Sequence, residues 1–178
     1  MSKKYLFTSK RLGFRNWQPI DLNQMAALNA DQEVMEFFPS TQSKKKTKEF
    51  IDRMQDLFAR RKHCYFAVEK RETNQFIGFI GLGYQTFEAP FTPCVDIGWR
   101  LARKFWGNGY ATEGARRCLQ YAFEDLKLSE MNSIASVSNL RSTHVMEKIG
   151  MKKNMEFEHP KLIDYPHLNP CVLYRIKN

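Results

Sequence analysis

Apolar residues recur along this chain with two different periods, and the changes of period outline its elements. Residues 11–15, RLGFR, alternate and predict a first strand. Residues 20–31 place Leu22, Met25, Ala26 and Leu28 on one helical face, with Asp21 as a possible N-cap. A second helix follows in KKTKEFIDRMQDLFARR, where Phe50, Ile51, Met54, Leu57 and Phe58 make a continuous apolar stripe. The period then shortens. Residues 64–70 and 75–85 are rich in aromatic and β-branched side chains, and RETN between them suits a hairpin. EAPFTP reads as a loop, and residues 94–101, CVDIGWRL, as another strand. A glycine turn and a helix come next, then a strand at 131–137 and a helix at 140–150 that Gly150 closes from the C′ position. MKKNMEFE and CVLYRIK finish the chain as strands. This order predicts an α+β (mixed α/β) fold: a central, mostly antiparallel sheet of about seven strands flanked by about four helices.

Composition narrows the class. The 178 residues suffice for one domain with a real core, and no repeat, low-complexity tract or linker divides it, so residues 1–178 are read as a single domain. Hydrophobic content of 43% excludes a disordered chain, and no apolar run approaches the roughly 20 residues of a membrane helix. The start, MSKKYLFTSKRL, has no apolar core or cleavage site of a leader, which implies a cytoplasmic protein without a membrane partner. Cys64, Cys94, Cys118 and Cys171 lack metal-ligand spacing, so they read as buried free thiols, with no metal expected.

The net charge of +9 favours an anionic partner. Its densest cluster, SKKKTK at Ser43–Lys48, is a solvated helix start or a contact for an acidic partner. Nucleic-acid binding finds no recognition signature, and the basic residues are dispersed.

The chemistry concentrates in RKFWGNGYATEG, residues 103–114. A dinucleotide fingerprint would need glycine where Thr112 stands and an acid near Lys127; a Walker loop would need Lys where Ala115 stands. A simpler reading remains. Glycines bring main-chain N–H groups close to an anion, and the unpartnered amides and dipole of a helix start favour it. The bland alternative is an ordinary strand–helix connection.

FWGNGYATEG resembles the pyrophosphate loop of the GNAT superfamily of acetyl-CoA-dependent N-acetyltransferases. SNLRSTHVMEKIGM resembles that family's Asn-x-x-Ser segment, and SKRLGFRNWQPIDL and VDIGWRL its opening strand and fourth strand. The similarity is greatest to the RimJ/RimL-like branch, which includes ribosomal-protein N-terminal acetyltransferases.

The resemblance implies a GNAT fold with a splayed sheet, opened by a bulge between its fourth and fifth strands. It implies acetyl-CoA as co-substrate and assigns a site. The backbone of Trp99, Arg100 and Leu101 would pair with the pantetheine arm. Lys104, Trp106, Gly107, Asn108, Gly109, Tyr110, Ala111 and Thr112 would hold the pyrophosphate. Asn139 would bond the pantetheine while also capping its helix. Asp96 would act as general base in place of the family's Glu, or would only bind. Ser142 would lie near the thioester sulfur. Met146 stands where many members carry a Tyr, leaving Ser142 or solvent to protonate the thiolate. His144 reads as a surface histidine, Glu147 and Lys148 as exposed charges, and His159 and Tyr165 as candidate lining of the acceptor pocket.

The implied activity is acetyl transfer to a primary amine by direct attack. A protein N-terminus is the first acceptor class and small amines the second, in a monomer or homodimer. The competing reading is a GNAT-like module that binds CoA as a sensor or docks on a ribosome without turnover.

Overall fold

The computed structural model describes residues 5–178. Residues 1–4, part of the chain start read above as leaderless, lie outside the described residues. The elements are β1 (Phe7–Thr8), β2 (Leu12–Arg15), α1 (Asp21–Ala30), α2 (Lys44–Arg61), β3 (Tyr65–Lys70), β4 (Phe76–Gln85), β5 (Cys94–Leu101), α3 (Tyr110–Gln120), β6 (Glu130–Ser136), α4 (Leu140–Lys148), β7 (Lys152–Phe157) and β8 (Cys171–Lys177). Among the described residues the eight strands form one sheet in the order β1-β2-β3-β4-β5-β6-β8-β7. Every neighbouring pair is antiparallel except β5 and β6. The expected α+β architecture is present, with one strand more than the sequence pattern suggested. That strand, β1, has two residues, too few to show a period.

Pairing register sorts the side chains into two faces. Phe14 opposes Val68, Phe66 opposes Ile80 and Leu82 opposes Ile97, so one face carries these apolar residues into the core. Helix α3 lies on that face. It approaches so closely at Gly114 that a Cβ there would overlap Ile80 Cδ1. The opposite face carries Tyr65, Phe79, Gly81, Gly83, Asp96, Gly98 and Arg100. Helices α1 and α2 cover it; Phe50 of α2 packs 5.3 Å from Phe79 and 6.4 Å from Tyr65 between ring centroids.

Several expectations are corrected in detail. Asp21 is not the N-cap of α1: Ile20 holds that position and Asp21 is the first helical residue. Its carboxylate accepts two 2.7 Å hydrogen bonds from the Arg15 guanidinium, which also reaches Glu69 at 2.7 Å. This buried cluster fixes the start of α1 to the ends of β2 and β3. Removing one partner of such a cluster costs about 3–5 kcal/mol. The helix after the glycine turn is α-helical only to Gln120, then widens into a π turn over Tyr121–Asp125, with Leu126 N–H donating to Tyr121 C=O.

Other readings hold. The lysines Lys44, Lys45 and Lys46 are exposed, and Ser43 caps α2 by accepting from Lys46 N–H. Gly150, at φ +90°, closes α4 in a paired motif: Gly150 N–H donates to Glu147 C=O and Met151 N–H to Met146 C=O. All four cysteines are free and buried.

Candidate active site

The sheet parts at its one parallel pair. Strands β5 and β6 share a single bridge, Asp96 with Asn132, and diverge beyond it. Ser133 Oγ spans the fork to Ile97 C=O at 2.9 Å. The ladder between β4 and β5 runs without a register shift from Gln85–Cys94 to Gly78–Leu101. No bulge opens the cleft there; the irregularity in this part of the sheet lies between β3 and β4, at Val68 and Glu69.

The same ladder decides which main-chain groups are spent. Ile97 C=O meets β6, so alternate residues from it present both backbone groups to the cleft: Trp99 and Leu101 do, whereas Arg100 faces β4. Of the three residues expected to pair with a ligand strand, Arg100 is thus the exception. Trp106 Nε1 donates to Leu101 C=O at 2.8 Å, and Trp99 remains open.

The wide end of the cleft is flanked by the starts of α3 and α4. Between them, the turn after β5 begins with a 3-10 turn at Arg103–Phe105, whose cap uses Phe105 and Trp106 N–H on Ala102 and Arg103 C=O. Gly107 and Gly109 follow at φ +73° and +75°. From Gly107 through Thr112, none of the six backbone N–H groups has a protein acceptor among the described residues; the next, Glu113 N–H, donates to Gly109 C=O. Six adjacent donors without acceptors, at a helix N-terminus, are a chemical environment that can receive an anion. A Cβ built on Gly107 would meet nothing within 4 Å, so the glycines are required by backbone conformation and not by crowding. Lys104 is exposed, with its ammonium 5.2 Å from the Phe105 ring.

Across the cleft, Asn139 caps α4 by accepting from Ser142 N–H at 3.1 Å. Ser142 is half-buried in the first turn, and no hydrogen bond joins it to Asp96. Arg141 reaches from this turn over the Trp106 ring, 4.6 Å from its centroid, and pairs with Glu36 at 2.5 Å. Met146, 1% exposed, is part of the core, so no hydroxyl stands there.

Asp96 is buried at the fork. Its carboxylate accepts from the Tyr65 hydroxyl at 2.8 and 2.9 Å, and Gln85 Nε2 donates to the same hydroxyl at 3.3 Å. Burial pushes the Asp96 carboxyl above the ordinary carboxylate range, against the opposing hydrogen bonds from Gln85, Tyr65 and the Gly83 N–H. The Tyr65 ring lies across Gly83, where a Cβ would collide with it, and Gly98, where a Cβ would press against it at 3.1 Å. Further along the same face, Arg100 donates to Asn29 Oδ1 at 2.8 Å and stacks 4.1 Å from the Phe38 centroid. Its Nε is buried without an acceptor, and desolvation lowers its pKa to about 10.

The acetyltransferase (GNAT) domain family matches residues 11–152. The chain belongs to the GNAT acetyltransferases. This GNAT chain is 33% identical over 121 residues to the uncharacterized protein YkkB of Bacillus subtilis (strain 168), covering 68% of the chain and 69% of YkkB. A GNAT-family acetyltransferase from Bacillus anthracis has a crystal structure that superposes with a TM-score of 0.78 at 26% identity, over 96% of each chain. RimL, a ribosomal L7/L12 alpha-N-protein acetyltransferase solved with coenzyme A, superposes with a TM-score of 0.77 at 14% identity over 98% of each chain, a likeness of fold. The membership establishes an acyltransferase of the N-acetyltransferase type, in a family that uses acetyl-CoA.

Three residues that contact these candidate groups lay outside the sequence pattern. Tyr65, Gln85 and Asn29 are 31, 20 and 71 positions from, or linked across strands to, the groups they contact. The only signal in the sequence is the spacing of Gly81 and Gly83, which leaves room on one face of β4. His159 is enclosed by aromatic rings, 4.2 Å from Phe87 and 5.9 Å from Phe157, and accepts from Lys161 N–H. Tyr165 is half-buried beside His167, and His144 is exposed. Among the described residues no cluster of His, Cys, Asp or Glu could hold a metal, and no helix is long and apolar enough to cross a membrane.

Proposed function

We propose that this protein transfers the acetyl group of acetyl-CoA to a primary amine by direct attack, without an acyl-enzyme. The observation that carries the reading is the run of unpartnered amides from Gly107 to Thr112 at the mouth of a parted parallel strand pair. Trp99 and Leu101 extend that donor row along the open edge of β5, where a pantetheine arm would add as a strand. Lys104 supplies charge nearby, and Asn139 and Ser142 flank the thioester end.

Asp96 is the group we assign as general base. It stands where the strands fork, and its raised pKa brings its proton affinity closer to that of a reacting amine. The ammonium gives one proton to the Asp96 carboxylate, the freed lone pair attacks the acetyl carbon, and the C–S bond breaks as the nitrogen sheds its second proton to solvent. The departing thiolate takes a proton from solvent, either directly or through the Ser142 hydroxyl, which recovers its proton from solvent. Tyr65 holds the Asp96 carboxylate in place.

A protein N-terminus is the acceptor class we favour, since RimL, which shares this fold, is a ribosomal L7/L12 alpha-N-protein acetyltransferase. Small amines are the second class. The test is thiol release from acetyl-CoA with a panel of N-terminal peptides and small amines. Asp96→Asn should lower turnover by about 10²–10⁴-fold with coenzyme binding retained. Coenzyme binding with no turnover for any acceptor would instead favour the sensor reading.

A further inference from the structure

Arg11 lies 97 residues before Asn108 in sequence, yet its Nη1 donates to the Asn108 C=O at 3.0 Å. Its guanidinium stacks 4.4 Å from the Tyr110 ring centroid, and its Nε donates to Glu113 Oε2 at 2.6 Å. The backbone N–H of Arg11 donates to Glu113 Oε1 at 2.7 Å, and Ser9 Oγ donates to the same oxygen at 2.6 Å. Glu113 therefore ties the start of β2 to the first turn of α3, and Arg11 continues that tie onto the glycine turn.

A second hold lies beside it. Asn108 Nδ2 donates to Trp106 C=O at 2.8 Å and to Phe105 C=O at 3.2 Å. A trans peptide is planar, with its C=O and N–H pointing in opposite directions. Fixing the Trp106 and Asn108 carbonyls therefore fixes the N–H groups of Gly107 and Gly109 on the other side of the turn. Both peptide planes end in glycine, whose backbone is the least restrained of any residue. Without the two holds, these planes would rotate.

We propose that Arg11 is a positioning residue for the acyl donor: it locks the Asn108–Gly109 peptide so that the Gly109 N–H is aimed at the pyrophosphate. The proposal rests on the reading of residues 107–112 as the acetyl-CoA cradle. The Arg11 side chain is 42% exposed, and an ion pair that open contributes little to folding. Its side chain thus adds little to the stability of the fold, and its larger effect is expected in ligand binding.

The experiment compares three thioesters on wild-type protein, Arg11→Ala and Arg11→Lys: acetyl-CoA, acetyl-dephospho-CoA and acetyl-pantetheine, which lacks both phosphates of the linker. Arg11→Ala should raise KM for acetyl-CoA and acetyl-dephospho-CoA by about tenfold, the effect of one charge-assisted hydrogen bond. It should leave kcat with those donors, and kcat/KM for acetyl-pantetheine, close to wild type. Arg11→Lys keeps the charge but cannot bridge Asn108 and Glu113 together, so it should recover only part of the loss. Equal losses with all three donors would assign Arg11 to general structure and overturn the proposal. A loss confined to acetyl-CoA and absent with acetyl-dephospho-CoA would make Arg11 a direct contact of the 3′-phosphate and overturn it too. Wild-type protein that does not prefer acetyl-CoA to acetyl-pantetheine would refute the cradle itself, a separate failure.

Discussion

Gly109→Val isolates the backbone of the turn from its packing. Gly109 sits at φ +75°, and the nearest atom to a Cβ built there is Arg11 Nη2 at 3.6 Å, an ordinary contact. The β-carbon of valine would therefore meet no clash, and its main cost is conformational. A left-handed backbone costs an L-residue roughly 1–2 kcal/mol, and strained positions reach about 3 kcal/mol, with β-branched residues at the upper end. In the free protein the turn relaxes to escape this strain, because Gly107, Asn108 and Gly109 are exposed and outside the core. Binding then has to restore the left-handed turn. At about 1.4 kcal/mol per tenfold, the dissociation constant for acetyl-CoA should rise about 5- to 150-fold, with at least tenfold expected for valine. Asparagine tolerates this conformation better, so Gly109→Asn should fall between wild type and valine. Titration calorimetry with acetyl-CoA reads the constants, and near-ultraviolet circular dichroism with the thermal midpoint confirms the fold. A valine variant with native spectrum and midpoint that binds within twofold of wild type would refute the argument.

Tyr65→Phe removes a hydrogen bond that holds the Asp96 carboxyl down, so the Asp96 pKa should climb further above its already raised position. In the proposed mechanism the ionised form is the base, so activity should be lost as pH falls through that pKa, and the acid limb of the kcat/KM profile should move to higher pH. An unmoved limb would separate Asp96 from catalysis. Gly114→Ala gains about 0.5–1 kcal/mol of helix propensity but drives a Cβ onto Ile80 Cδ1, where overpacking costs about 1–3 kcal/mol. A net loss of about 1–2 kcal/mol should appear in urea unfolding, with recovery on adding Ile80→Val. Glu113 is partly desolvated, which raises its pKa, but hydrogen bonds from Ser9 and Arg11 overcome this and leave it depressed. The unfolded chain therefore holds the extra proton. The contribution is complete above the unfolded carboxylate pKa of roughly 4.3 and fades as pH falls through the folded value. Glu113→Gln should flatten the dependence of stability on pH in that acid window, as pH-dependent denaturation will show.

The sequence pattern located β5 and β8 at their observed ends because each combines alternation with clear punctuation. The glycine turn was legible for the same reason: two glycines one residue apart before a helical stripe leave few backbone choices. What escaped detection depends on register and distance. The roles of Tyr65 and Gln85 arise only once β3, β4 and β5 are paired, since the ring crosses glycines on two other strands. Asp21 looked like a cap because caps and first-turn acids share a composition; its partner Arg15 decides between them. Arg11 gave no local signal of this role, for its three hydrogen bonds and its ring stack with the turn and α3 lie about a hundred residues downstream. The expected bulge failed because a strand can leave one neighbour while staying in step with the other.

That last property gives β5 a divided labour. One margin of the strand is reserved for whatever is grasped through its peptide groups, while the side chains on the face toward α1 and α2 are free to be exchanged. Given the proposed site, evolution can revise side chains on that face, Asp96 among them, without disturbing the peptide groups that would hold the donor. A lineage built this way should diversify in what it modifies far sooner than in what it uses as donor.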